Sequence, residues 1–359
     1  MKIQSNIKHI YWFAHYHLDC PSTRYRGQLP LQYLAKNMGI EYDFIYPDRS
    51  ANGLWKFFRV FFAALLFRKP NSLIVIQKIC SNGWYAKALK LLISLRPKNT
   101  LYDIDDAEYL RQNSASLHFF LRNCEKVSVG SDALKEYCTP FNPNVFVLTS
   151  PVKNHTIRKT KRNKKIHIGW VGDFGNGKEI SKAFSHKTSM FKLFFPELQK
   201  IQQPVKLSLI GVKNKTDIPE ILNYFEQTPN VELVIPTHLD WQSDDWLYPE
   251  ISKFDIGISP MVNHPFNRSK SAFKAKQYLS AGVPVLASDV GENNKFVKHR
   301  QNGFLCKEKG DFLSAIQQII EMSDEKYFKM RDNALINREF YSIERYCKEL
   351  LKIRQRDTK

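Results

Sequence analysis

The sequence predicts an α/β protein built from two doubly wound parallel sheets. The chain has 359 residues, more than one hydrophobic core usually supports. Short apolar runs rich in β-branched and aromatic residues alternate with longer helical patterns, which is typical of βαβ units. The alternation occurs twice, before and after a polar and basic segment, so two domains of the same architecture are expected.

The first domain is predicted over residues 1–150. Its strands, in chain order, are HIYWFAH, YDFIYP, SLIVIQKI, TLYDIDD, KVSVGS and VFVLTS, with helical stretches such as GQLPLQYLAKNMGI between the earlier ones. The segment 151–165, PVKNHTIRKTKRNKK, has no apolar periodicity and is therefore predicted to be a linker.

The second domain is predicted over residues 166–337. Its strands are IHIGWVG, VKLSLIG, VELVIP, FDIGISP and PVLASD. Residues 338–359 include YSIERYCKELLKIRQR, an amphipathic helix for which Ser342 is the expected N-cap. Because ligands bind at the carboxyl ends of parallel strands, we expect the two sheets to face each other across a ligand-binding cleft.

Charge and composition narrow the functional classes. The net charge of +19 favours a polyanionic partner, either nucleic acid, an anionic bilayer or phosphorylated ligands. The six cysteines have neither C-x-x-C spacing nor histidines at zinc-binding spacing, which indicates reduced thiols in a cytosolic protein. The apolar run IYWFA is too short for a signal-peptide core, and no run approaches the length of a membrane span, so we expect a cytoplasmic chain.

Two basic motifs in the second half suggest anion binding. KSAFKAKQYLSAGVPVLASDVG begins with Lys270 and Lys274, which would share one face of a helix near its positively polarised start. A bound anion would offset their repulsion, although lysines that both point into water would also explain the pair. VGDFGNGKE places Gly172 and Lys178 in a glycine-rich turn after a strand, a geometry that exposes N–H groups to phosphate but is also common in ordinary turns.

The segment Phe254 to Cys306 resembles the group-1 (family four) glycosyltransferases, which have the GT-B fold of two facing Rossmann-like domains. FDIGISP, then the lysine-containing helix, AGVPVLAS and NGFL occur in the order of that family. HIGWVGDFGNGKE, with Lys178, resembles the start of the family's C-terminal domain. The resemblance implies transfer from a nucleoside-diphosphate sugar with retention of configuration and without a metal or another cofactor.

The sequence departs from the family at three positions. Ser269 and Gln277 occupy the places of the usual glutamate pair, and Asp173 stands where an arginine is usual. The resemblance therefore implies a divergent branch, in which Lys178, Lys270 and Lys274 neutralise the donor diphosphate and Gln277 faces the ribose.

Arg24, Arg26 and Gly27 lie in PSTRYRG, where the resemblance places the contact of the N-terminal domain with the donor phosphates. Arginine suits that role because its guanidinium contacts phosphate in a bidentate manner, although two arginines after a strand are commonly solvated.

An acidic group is predicted on the acceptor side. Asp103, Asp105 and Asp106 lie at the carboxyl end of a strand, where one carboxylate would orient the acceptor hydroxyl or accept its proton. An acid-rich helix start is the simpler alternative, and a divalent metal site is a third reading that the resemblance disfavours.

No Asp or Glu occurs between Asp48 and Asp103, a stretch that holds ten Lys and Arg. Within it, LWKFFRVFFAALLFRKP combines aromatics with Lys56, Arg59, Arg68 and Lys69. A helix lying in an anionic membrane interface would have this composition, and so would a core helix. We therefore expect a glycan or lipid-linked acceptor near the cytoplasmic leaflet.

Two rival functions remain open at this stage. A nucleotide-sugar epimerase also uses two facing Rossmann-like domains, but it needs no acceptor. A nucleic-acid-binding protein would explain the basic composition, but it would present aromatic and basic residues on exposed strands rather than on a helix.

Overall fold

The computed structural model describes residues 6–111, 114–155, 157, 159–174, 182–236, 240 and 243–355. These residues form two compact units. The first comprises the described residues within 1–151, 269–271 and 341–359, and the second comprises those within 152–268 and 272–340. Both units are layered α/β structures with one parallel sheet each, as the sequence predicts.

The first unit contains a six-stranded, all-parallel sheet in the order β2-β1-β3-β4-β5-β6. Every strand predicted for this half is confirmed. The strands are β1 (His9–Ala14), β2 (Glu41–Ile45), β3 (Ser72–Gln77), β4 (Thr100–Ile104), β5 (Lys126–Val129) and β6 (Val145–Val147). The helices of this unit that precede residue 139 are α1 (Leu29–Met38), α2 (Ala51–Leu66), α3 (Trp84–Leu95), α4 (Ala115–Asn123) and α5 (Asp132–Cys138). A π-helical turn, Thr23–Gln28, leads into α1.

The second unit also has a six-stranded parallel sheet, in the order β12-β11-β10-β7-β8-β9. Its strands are β7 (Ile166–Val171), β8 (Val205–Ile210), β9 (Val231–Val234), β10 (Ile256–Ser259), β11 (Val285–Ser288) and β12 (Gly303–Cys306). Its helices are α6 (His186–Ser189), α7 (Phe195–Leu198), α8 (Asp217–Phe225), α9 (Asp244–Ser252), α10 (Pro265–Arg268), α11 (Phe273–Ser280), α12 (Asn293–Phe296), α13 (Asp311–Glu321) and α14 (Asp324–Leu335).

The sequence patterns did not predict β12. This strand has only four residues and begins at Gly303, where a Cβ atom would lie 2.1 Å from the carbonyl oxygen of Val285. Glycine is required because the two backbones approach so closely. A strand this short, directly after an Asn-Gly turn signal, gives almost no periodic signal.

The last helix, α15 (Ile343–Gln355), packs into the first unit. Its N-cap is Ser342, as predicted, since Ser342 Oγ accepts a hydrogen bond from the backbone N–H of Arg345 at 3.1 Å. The Tyr346 hydroxyl donates to the carbonyl oxygen of Arg26 at 3.0 Å. Tyr346 and Leu350 join the same apolar cluster as Trp12 of β1, so α15 completes the core of this unit.

The segment 151–165 was predicted to be a linker, but from Val152 onward its described residues belong to the second unit. Lys159 Nζ lies 2.6 Å from a carboxylate oxygen of Asp255, and Arg162 donates to the carbonyl oxygen of Met322 at 2.6 Å. Within the described residues, the structure has no helix whose length and apolar character would let it cross a bilayer.

Candidate functional site

Arg26 and Asp103 form an ion pair in the core of the first unit. Arg26 Nε and Nη2 donate to the two carboxylate oxygens of Asp103 at 2.9 and 2.5 Å, and the side chains are 0% and 1% exposed. Arg26 Nη1 also donates to the carbonyl oxygen of Leu148 and to Ser150 Oγ, while Ser128 Oγ donates to Asp103. Burial alone would lower the pKa of Arg26, but the Asp103 carboxylate raises it.

This pair corrects two sequence predictions. The donor-binding role of Arg26 and the catalytic role of Asp103 both require side chains that reach a ligand, whereas both side chains are buried and bonded within the unit. Gly27 is also a packing residue. A Cβ atom there would lie 2.8 Å from the Phe44 ring and 2.9 Å from Trp12 Nε1.

Arg24, two residues earlier in the same turn, differs from Arg26 in its hydrogen bonding. Its side chain is only 7% exposed, and its Nε and Nη1 atoms are buried without a hydrogen-bond partner among the described residues. The guanidinium carbon lies 5.1 Å from the centroid of the Tyr25 ring. Because a buried charged group without partners is costly, an arginine in this state is suited to an anionic ligand.

Lys78 lies at the centre of the acidic group at the carboxyl end of the first sheet. Its ammonium nitrogen is 3.0 Å from Asp105 Oδ1 and 3.5 Å from Glu108 Oε1, and it also contacts Asp106 Oδ2. Ser22 Oγ donates to Asp105 Oδ2 at 2.6 Å. Asp105 and Asp106 therefore lie at the predicted edge of the sheet, and an ammonium group occupies the space between them.

Sequence reasoning missed Lys78. The available signal was a lysine placed directly after the buried strand SLIVIQ. Its backbone has a φ of 57°, a left-handed conformation that is uncommon for a residue other than glycine. Such strain is found preferentially at functional sites. Within the described residues, no group of three His, Cys, Asp or Glu side chains has the arrangement of a metal site.

In this cluster, burial and the neighbouring opposite charges act in opposite directions on the pKa values of Asp106 and Lys270. Burial raises the pKa of Asp106, but the Lys78 and Lys270 ammonium groups outweigh it and lower the value to about 2. Burial lowers the pKa of Lys270, Asp106 counteracts this, and Lys78 adds to the lowering. Asp106 is therefore ionised at neutral pH and lies next to a lysine whose charge is destabilised.

The predicted shared helical face of Lys270 and Lys274 is wrong. Helix α11 begins at Phe273, after Ala272, whose φ of 52° and ψ of 37° are left-handed. Lys270 therefore precedes the helix and lies in the segment 269–271 that packs with the first unit, where Ser131 Oγ donates to the carbonyl oxygen of Ser269.

Lys274 lies on the first turn of α11, against the end of β7. Its ammonium group donates to Nε2 of His186 at 2.9 Å and lies 5.6 Å from the centroid of the Trp170 ring. A Cβ atom at Gly172 would come within 2.7 Å of Lys274 Cε. Glycine at this position thus lets a lysine side chain lie against the turn that follows the strand.

Three other residues of the second half were singled out from the sequence: Gln277, Asp173 and Lys178. Gln277 is 4% exposed, and its carboxamide lies beside the hydroxyl group of Tyr248. Asp173 forms an exposed ion pair with Lys213 at 3.1 Å. Lys178 lies outside the described residues.

Comparison with known proteins supports the predicted family. The model of the family "Glycosyl transferases group 1" matches residues 180–322. A GDP-Man:Man(3)GlcNAc(2)-PP-Dol alpha-1,2-mannosyltransferase of Dictyostelium discoideum is 24% identical over 229 residues. That similarity covers 59% of this chain but only 42% of the relative, so the chain spans less than half the length of that protein.

Solved structures resemble the fold along almost the whole chain. A sucrose-phosphate synthase from Thermosynechococcus elongatus has a TM-score of 0.71 at 14% identity, covering 97% of this chain and 98% of its own. Anabaena HepE, solved in complex with UDP, has a TM-score of 0.63 at 13% identity, covering 96% and 99%. These structural matches confirm the GT-B fold, and the family model confirms the resemblance to group-1 glycosyltransferases over residues 180–322.

Proposed function

Because residues 180–322 carry the signature of group-1 glycosyltransferases on a GT-B fold, we propose that this protein transfers a sugar from a nucleoside-diphosphate sugar to an acceptor hydroxyl with retention of configuration. The position of Lys274 is the observation that carries the proposal. Lys274 lies inside the matched region, and its side chain lies against Gly172 in the turn at the carboxyl end of the parallel strand β7.

In this proposal Lys274 at the Gly172 turn binds the donor diphosphate, while the donor contacts predicted for Lys178 and Arg24 remain predictions. The buried guanidinium of Arg24 is itself suited to a phosphate group, because it has N–H groups without a protein partner among the described residues. Cations at this position stabilise the charge that develops on the departing diphosphate, and Gln277 contributes a hydrogen bond to the ribose. The reaction requires no cofactor besides the donor.

The acceptor is oriented by Asp105 and Asp106. Both follow a strand of the first unit, and Lys78 fixes their carboxylates through one contact with each. The proposal places Lys270 beside Asp106 rather than at the donor site. Lys270 lies in the segment 269–271 of the first unit, and Asp106 is among the charges that shift its pKa. Fixed orientation of the acceptor hydroxyl supplies much of the acceleration expected from such a site.

The acceptor is a lipid-linked or other membrane-proximal glycan at the anionic cytoplasmic leaflet. The name of the Dictyostelium relative describes an enzyme that acts on a dolichol-linked glycan, which supports an acceptor of this class. The acid-free and aromatic segment between Asp48 and Asp103 supports contact with a membrane.

Calorimetry with a panel of nucleoside diphosphates and their sugars tests the donor site. Lys274→Ala should weaken the affinity for the preferred diphosphate by about 1.5–3 kcal/mol, the scale of a charge-assisted contact. Lys200→Ala is the matched control, because Lys200 is an exposed lysine of the same unit. Equal affinity of both variants and the parent would refute the assignment of Lys274. An altered or eliminated sugar formed from the donor without any acceptor, with free nucleotide released only alongside it, would instead favour an epimerase.

A further inference from the structure

Helix α2 exposes a stripe of large apolar side chains. Trp55, Phe58, Phe62 and Leu66 are 65%, 46%, 48% and 58% exposed, and their spacing places them on one side of the helix. The opposite side, which includes Phe57, is buried in the first unit. The helix therefore has an ordinary core-facing side and a second apolar side that faces solvent.

Helix α3 carries a second stripe next to the first. Trp84, Leu91 and Leu95 are 42%, 51% and 58% exposed. The Trp84 ring stacks on Phe58 of α2, with centroids 6.3 Å apart. The two stripes are thus joined into one surface, which we call the aromatic face: Trp55, Phe58, Phe62, Leu66, Trp84, Leu91 and Leu95. An exposed apolar surface formed by two helices marks an interaction site rather than scattered surface residues.

Every charged side chain on the two helices of the aromatic face is basic, although Arg59, which lies over the Trp55 ring, pairs with Asp43 of β2 at 3.4 Å. Both helices lie inside the stretch between Asp48 and Asp103 that contains no Asp or Glu. Lys56, Lys87 and Lys98 are exposed. Arg68 and Lys69 are different, since Arg68 donates to the carbonyl oxygens of Lys98 and Asn99, and Lys69 to Glu41. These two predicted membrane-contact residues therefore have partners within the unit, Arg68 at backbone carbonyl oxygens and Lys69 in an exposed ion pair with Glu41.

We infer that the aromatic face inserts shallowly into an anionic bilayer, with Lys56, Lys87 and Lys98 bound to lipid phosphates. This inference extends the membrane contact in the proposed function from a single segment to a defined two-helix surface. Tryptophan and phenylalanine are suited to the interfacial layer, and lysines beside them gain attraction from anionic headgroups.

Protein partners fit this surface less well. Protein interfaces are depleted in lysine, whereas lysines border this apolar surface. A second copy of the chain would bring the same positive face against itself around a two-fold axis, with no acid in the stretch to offset the repulsion. Neither objection applies to a surface of lipid phosphates.

Vesicle flotation of the full chain tests the inference with paired variants. The parent should bind vesicles containing 30% phosphatidylglycerol and bind pure phosphatidylcholine weakly, with at least about a tenfold difference in partition coefficient. Phe58→Ser with Trp84→Ser should remove binding through lost insertion. Lys56→Glu, Lys87→Glu and Lys98→Glu together should remove it through lost attraction.

Two control variants make the result specific to this surface. Leu222→Ser with Ile336→Ser removes exposed apolar side chains of the second unit, and Lys200→Glu, Lys309→Glu and Lys329→Glu makes the same change in net charge there. Both controls should bind vesicles like the parent. Equal flotation of parent and aromatic-face variants, or equal loss in the controls, would overturn the inference. So would concentration-dependent dimerisation of the parent that the aromatic-face variants abolish, without vesicle binding.

Donor affinity of the same proteins, measured without vesicles, separates this inference from the proposed function. Intact donor binding without flotation would remove the aromatic-face inference alone. Flotation without any nucleotide-sugar binding would remove the proposed transferase activity and leave the membrane surface standing.

Discussion

Replacing Asp103 with Asn should destabilise the first unit without a direct effect on sugar transfer. The two carboxylate oxygens of Asp103 accept hydrogen bonds from Arg26 Nε and Nη2. An asparagine offers one oxygen and one NH2 group, so one Arg26 donor would face another donor and the guanidinium would lose its counter-charge. Removing one partner of a buried ion pair costs about 3–5 kcal/mol.

Hydrogen-exchange mass spectrometry of a peptide that contains β4 measures this loss locally. A decrease of about 3 kcal/mol in the opening free energy accelerates exchange by roughly two orders of magnitude when opening is at equilibrium. The paired replacement of Arg26 by Met and Asp103 by Leu should recover part of the loss, because no uncompensated charge then remains.

Donor affinity and transfer provide the decisive comparison. At a temperature where Asp103→Asn is still folded, both should stay close to those of the parent. A variant with parental exchange rates and a strongly reduced transfer rate would refute the structural interpretation and return Asp103 to the catalytic group.

Three further predictions concern charged and titratable groups. Asp106→Asn should destabilise the protein at pH 6 by about 2 kcal/mol, because the folded-state pKa of Asp106 is lowered to about 2. The difference in stability should vanish as the pH falls from about 4 towards 2. A pH-independent difference in denaturation would contradict this prediction. Arg24→Gln should raise the thermal midpoint, because it removes a buried cation without hydrogen-bond partners at two of its nitrogens. The same change should weaken diphosphate binding by about 1.5–3 kcal/mol. Loss of both stability and binding would indicate a structural role for Arg24. Burial and nearby Lys78 lower the pKa of His15 to about 4, so the unfolded chain is protonated first as the pH falls. His15→Gln should therefore reduce the stability lost between pH 6.5 and 4 by up to about 3 kcal/mol. Identical pH profiles of variant and parent would contradict the shift in the pKa of His15.

The sheets were predictable because their signal is local. Runs such as SLIVIQ in β3 are apolar, β-branched and bounded by turn residues, and the strands they predict are present. The position of Asp105 and Asp106 followed from the same reasoning, since residues after a parallel strand lie at its carboxyl edge. The family resemblance added the GT-B arrangement, which strand patterns alone do not specify.

The site was less predictable because its side chains depend on backbone details and distant partners. Arg24 and Arg26 are two residues apart in a helical turn and therefore cannot share a face, but nothing local indicates which one enters the core. Lys270 and Lys274 would have shared a face on a continuous helix, and the left-handed Ala272 breaks it. Lys78 acquires its partners only when the ends of β3 and β4 come together.

The docking of α15 on the first unit affects the order in which the chain acquires structure during synthesis. The hydrogen bond from Tyr346 to Arg26 closes a loop of 320 residues, and the apolar cluster around Trp12 is incomplete until α15 arrives. The second unit has no such requirement, because its segments end at residue 340. We therefore expect released chains that are truncated before Ile343 to resist protease in the second unit and to be cleaved in the first. The domain translated first would be the domain that matures last, and its unfinished apolar seam would be open to chaperones throughout translation of the other.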